Sequence, residues 1–152
     1  MKIVLIIIVL VVIILIAFLF LYRPDDTKVL VGTIKDLESG IEKMMLSSKK
    51  DSFVIATVHG THDFIQFSGN TKNVQIDFPQ ITDRQKSMGV RFRTIAKEMN
   101  LKVIENRGTG DELFLDIDLK GTATEISGVA GTFMERFLGI SQDTKVEYML
   151  NI

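Results

Sequence analysis

Hydrophobic and polar positions change rhythm several times along this chain, and each rhythm predicts a different element. From Ile3 to Leu21 no polar residue interrupts the run "IVLIIIVLVVIILIAFLFL". At 1.5 Å per residue a helix of that length reaches about 28 Å, close to a hydrocarbon core of about 30 Å. In lipid a lone segment satisfies its backbone hydrogen bonds only as a helix. The run is too long for an ordinary signal-peptide core, and no small-x-small cleavage site precedes Arg23-Pro24. Residues 1–23 are therefore read as an uncleaved transmembrane anchor, and residues 24–152 as one folded domain.

Beyond the anchor, Pro24 disfavours helix at Arg23, and Asp25, Asp26 or Thr27 can cap a new one. Leu30, Ile34, Leu37, Ile41 and Met44 then recur at helical spacing, which predicts a first amphipathic helix ending at "SSKKD". The rhythm changes to alternation in "SFVIATVH", "DFIQFSG" and "NVQIDFP". In the second of these, Phe64, Gln66 and Ser68 share one face and Ile65 and Phe67 the other. Short turns between the three predict an antiparallel meander.

Thr82 and Gln85 have capping-box spacing and open a second helix, with Met88, Phe92, Ile95, Ala96 and Met99 as its apolar stripe and Asn100 closing it. "LKVIENR" and "ELFLDIDL" form a further strand pair around the glycine turn "GTGD". Thr122 and Glu125 open a third helix carrying Ile126, Val129, Ala130, Phe133 and Phe137, with Gly139 at its end. The tail from Lys145 alternates Val146, Tyr148, Leu150 and Ile152, which suits an extra edge strand. The expected order is helix, three strands, helix, two strands, helix: an α+β domain with an antiparallel sheet covered by helices, behind a transmembrane helix.

Charge narrows the function. From Arg23 onward the chain carries all but Lys2 of its 18 Lys and Arg, and all 19 Asp and Glu, a balance that argues against a nucleic-acid binder. Lys and Arg near the span (Arg23, Lys28 and Lys35 against Lys2) favour a cytoplasmic C-terminal domain. The lack of cysteine removes a lipoprotein anchor and fits a reducing compartment.

Candidate chemistry is sparse. His59 and His62 flank Gly60-Thr61 at an expected two-residue turn, with Asp63 beside them. In a tight hairpin the two imidazoles would face each other, which is the basis for a metal-dependent hydrolase or metal sensor. Zinc, however, takes three or four protein ligands, and a polar glycine turn explains the stretch without one. Asp116 and Asp118 form a D-x-D pair able to hold Mg²⁺ or Ca²⁺ if other oxygens converged; alternation alone makes them a solvated strand face. "GTGD" lacks the context of either phosphate-binding fingerprint, and no serine sits in a G-x-S-x-G turn. No catalytic residue, metal or cofactor is assigned. Lys86, Arg93 and Lys97 fall on one side of the second helix, where they suit an acidic partner or anionic lipid, or simply a solvated face.

The element order resembles that of type III secretion chaperones of the Tir-chaperone class and of the related YbjN-like proteins. "FIQFSG", "VQIDFP" and the helix opening "ITDRQ", continued by "MNLKVIE" and "ELFLDIDL", carry the resemblance over most of Ser47 to Ile140. It implies a protein-binding module without catalytic residues; the chaperone branch dimerises and holds extended polypeptides. The anchor and the absence of an acidic excess favour the YbjN-like branch. Phe64, Gln66, Phe67 and the basic stripe are then the candidate partner contacts, with a protein partner, and a possible homodimer, expected. A purely structural envelope component is the other reading.

Overall fold

The computed structural model describes residues 27–108 and 112–152; the expected anchor lies outside the described residues. Among the described residues no helix is long and apolar enough to cross a membrane. The chain runs β1 (Thr27–Thr33), a 3-10 turn (Ile34–Asp36), α1 (Leu37–Leu46), β2 (Phe53–Val58), β3 (Phe64–Gly69), β4 (Val74–Pro79), α2 (Asp83–Glu98), β5 (Val103–Arg107), β6 (Leu113–Leu119), α3 (Ala123–Leu138) and β7 (Lys145–Asn151). The α+β class is as expected. All seven strands join one antiparallel sheet in the order β1-β7-β2-β3-β4-β6-β5.

Two expectations fail at the sheet's first edge. The expected first helix begins as a strand, and only Ile34, Leu37, Ile41 and Met44 of its stripe are buried in the turn and α1. Leu30 instead lies in β1, opposite Tyr148. "TKVLVGT" combines β-branched residues with a glycine that weakens helix, and seven residues of β7 are available to pair with it. The tail is correspondingly not an edge strand: β7 sits between β1 and β2. Tyr148 ties the two together, its buried hydroxyl donating to the Thr33 carbonyl at 2.6 Å, and burial holds the phenol well above its usual pKa.

The helix boundaries follow the expected caps. Thr82 Oγ1 accepts from the Gln85 amide at 3.2 Å while Gln85 Oε1 accepts from the Thr82 amide at 3.0 Å. Thr122 and Glu125 repeat the arrangement at α3, and the two hydrogen bonds from Thr122 pull the Glu125 carboxyl below its ordinary pKa. Asn100 closes α2 at φ 56°, and Gly139 closes α3 at φ 70°. Arg91 also donates to the Arg136 carbonyl at 2.7 Å, placing a cation at the α3 C-terminus. Gly139→Ala is expected to lose about 1 kcal/mol from left-handed strain alone. A urea unfolding midpoint would read it; an unchanged midpoint would mean that the helix end relaxes freely.

One core lies between the helices and one face of the sheet. It takes Val54 and Ala56 of β2, Ile65 and Phe67 of β3, Val74, Ile76 and Phe78 of β4, Leu115 and Ile117 of β6, and Val146, Tyr148 and Leu150 of β7. Phe78, Phe92, Phe133 and Phe137 interlock at its centre, with ring centroids between 4.9 and 5.7 Å apart. Of the expected α3 stripe, Val129 is exposed, so the buried side of that helix is narrower than the apolar pattern suggests.

Candidate functional site

The β2–β3 hairpin closes one residue further out on each side than expected. Val58 N donates to the Asp63 carbonyl at 2.9 Å, so His59 to His62 form a four-residue loop rather than flanking a two-residue turn. Thr61 organises it: its hydroxyl donates to the Val58 carbonyl at 2.9 Å and accepts from the Asp63 amide at 3.1 Å. The three candidate ligands go to different neighbours. His59 Nδ1 meets Glu147 on β7 at 2.6 Å, and Asp63 takes a two-pronged contact from Arg84 on α2 at 2.8–3.0 Å. His62 is exposed at the rim of a small hollow beside Phe64, Thr82 and Met88. Among the described residues no group of three or more His, Asp or Glu side chains is placed to hold a metal ion.

The other sequence candidates separate by face. Phe67 is fully buried in the core, so a partner reaches it only by unpacking the domain. Phe64 and Gln66 point to the opposite side of β3 and are half-buried there. Lys86 and Lys97 are exposed on α2, while Arg93 is held by Glu105 of β5 at 2.6 and 3.0 Å. Arg93 and Lys97 line an open hollow of about 540 Å³ with Leu101, Lys102 and Val103. The basic stripe is thus partly neutralised.

The sheet face turned away from the helices holds what the sequence did not reveal. Cross-strand register aligns one row of side chains across all seven strands: Val29, Met149, Ile55, Gln66, Asp77, Asp116 and Ile104. The half of the row on β1, β7 and β2 is apolar, with Val29 59% and Met149 40% exposed. Val31, on the next row, adds to it at 63% exposure. The half on β3, β4 and β6 is acid and amide.

Asp77 and Asp116 are direct register partners, which sets their side chains side by side on one face. Asp116 is only 4% exposed, so the expectation of a solvated strand face fails at this residue and holds for its neighbour Asp118. Flanking strands explain the burial: Asn106 of β5 donates to Asp116 Oδ2, and Asp77 covers the other side. Ser68 donates to Asp77 Oδ2 at 2.7 Å, with Gln66 at 3.5 Å, and Gln75 donates to Asp118 at 3.0 Å.

Burial chiefly raises the Asp77 pKa to about 6; the Ser68 hydrogen bond opposes the rise and the Asp116 charge adds to it. Burial likewise raises Asp116, against the hydrogen bond from Asn106 and with the charge of Asp118. Side by side on one face, the two carboxyls disfavour ionising together. Asp116 Oδ1 is buried without a hydrogen-bond partner, and Asp77 is its register neighbour on β4. The signal available in the sequence was the presence of Asp77, Asp116 and Asp118 on the polar phase of their strands; that β4 and β6 are neighbours is a tertiary fact.

This face offers an apolar strip continuous with acceptors for cationic and amide groups. No protein family, curated protein or solved structure matches the chain.

Proposed function

We propose that the chain is a membrane-anchored, non-catalytic protein-binding module of YbjN-like layout. Its span from Ile3 to Leu21 would hold the domain at the cytoplasmic surface, and its open sheet face would receive an extended polypeptide. The observation that carries the reading is the row of side chains across the sheet, apolar from Val29 to Ile55 and acid and amide from Gln66 to Asp116, on a face that no helix of the described residues covers. Exposed apolar area of this kind, rimmed by polar groups, is the usual mark of an interaction surface. A partner segment carrying both apolar and basic side chains complements it, the first against Ile55 and Met149, the second towards Asp118 and Glu147. The element order from α1 to α3, helix–three strands–helix–two strands–helix, supports the YbjN-like layout.

A photo-crosslinking amino acid placed at Ile55 or Met149 of the full chain, in native membranes, tests this. A discrete adduct is expected from those positions and not from Val90, which is 69% exposed on α2. The same adducts from Val90, or none from the sheet face, would sink the proposal.

A further inference from the structure

The two edges of the sheet differ in a way that bears on self-association. At one edge β5 is five residues long, and its exposed Glu105, Asn106 and Arg107 blunt it. At the other, β1 has seven residues, and three in a row are exposed and apolar: Val29 at 59%, Leu30 at 46% and Val31 at 63%. No proline or acidic residue interrupts β1, and its only charge is Lys28. A long apolar edge with free backbone groups is a template for another strand.

We propose that the occupant of this edge is a second copy of the same chain, with β1 pairing antiparallel to β1 of the partner about a two-fold axis through Leu30. The sequence of the strand, Thr-Lys-Val-Leu-Val-Gly-Thr, reads almost the same in both directions. Residues directly opposite one another must lie on the same face of a sheet, and a two-fold axis normal to the sheet preserves faces. Symmetric pairing is therefore centred on a residue, and Leu30 is the only centre that pairs the whole strand. In that register Thr27 meets Thr33, Val29 meets Val31, and Leu30 meets Leu30. Lys28 falls opposite Gly32, so the one charged side chain never faces its own copy.

The surroundings suit this register. Leu30 borders a hollow of about 230 Å³ between β1 and α1, lined also by Gly32, Ser39, Gly40 and Tyr148. The hollow lies on the helix side of the strand, where the two central leucines would meet. Val29 and Val31 would form the matching pair on the open face. Cross-strand β-branched pairs of this kind are among the favourable ones. This proposal concerns the strand edge and stands apart from the reading of the open face.

The natural absence of cysteine allows a clean test in the full chain purified in detergent. Leu30→Cys should oxidise to a disulfide-linked dimer on the order of tenfold faster than Glu105→Cys at the other edge, because directly opposed positions meet the geometry of a disulfide. Val29→Cys and Val31→Cys should cross-link faster when mixed than either does alone. Leu30→Lys, at an exposed position, should weaken dimerisation on the order of 100-fold by opposing two like charges, with an unchanged circular dichroism spectrum. A monomeric mass for the unmodified chain, or equal cross-linking at both edges, would overturn the proposal and leave the open-face reading untouched.

Discussion

Phe92→Ala is expected to remove about 3–5 kcal/mol of folding stability, a large part of the ~5–15 kcal/mol that domains of this size possess. Phe92 is the hub of the aromatic cluster: it stacks on Phe78 at 5.5 Å and meets Phe133 and Phe137 edge-on at 4.9 and 5.4 Å. Its ring reaches both β4 and α3 from α2, so truncation leaves a cavity where three elements meet. Urea unfolding of the full chain in detergent, followed by the amide signal, measures the loss. Phe64→Ala, on the half-buried outer face, serves as the comparison and should cost distinctly less. Equal losses for the two would mean that the cluster is no more than greasy area.

The second large effect concerns the proton on Asp77. The folded-state pKa of Asp77, about 6, lies above the unfolded value near 4. Its stabilising contribution is therefore fully present below the unfolded value and is lost as pH rises through about 6. The wild-type chain should lose about 1 kcal/mol between pH 5 and pH 8 from Asp77, given ~1.4 kcal/mol per unit of pKa difference, the part of the linkage that lies below pH 5, and some solvent screening. Asp77→Asn should remove most of that dependence and stabilise the protein at pH 8. The amide oxygen can still accept from Ser68, and the amide nitrogen can donate to Asp116 Oδ1. Urea midpoints at pH 5 and pH 8 for both proteins decide the matter. Parallel pH profiles would show that Asp77 carries no net proton linkage.

Much of the architecture was legible because its signals are local. Capping boxes at Thr82 and Thr122, the left-handed closures at Asn100 and Gly139, and the alternation in β2, β3, β4 and β6 each involve residues within a few positions of one another. Two of the misreadings involve distant partners. Leu30 continues the spacing of Ile34, Leu37 and Ile41, so a periodicity argument takes it as helix; β7 overrides that spacing by offering seven backbone partners. Asp116 alternates as a solvent-facing residue, and only the arrival of Asp77 on one side and Asn106 on the other removes it from water. Facing histidines require a hairpin that turns in two residues. The side chain of Thr61 stabilises a wider loop instead, sending His59 towards Glu147. The open face itself was half legible: Phe64 and Gln66 lie on it, whereas Phe67 belongs to the core.

The position of β7 between β1 and β2 also has a consequence for biosynthesis. β1 and its partner are more than a hundred residues apart in the chain, although they are neighbours in the sheet. At ~5–20 residues per second, β1 leaves the ribosome roughly 6–24 s before β7 is made. For that interval Val29, Leu30 and Val31 wait without β7, the strand they pair with among the described residues. Translation speed across the middle of the message, far from the codons of β1, therefore sets how long its most adhesive strand waits unpaired.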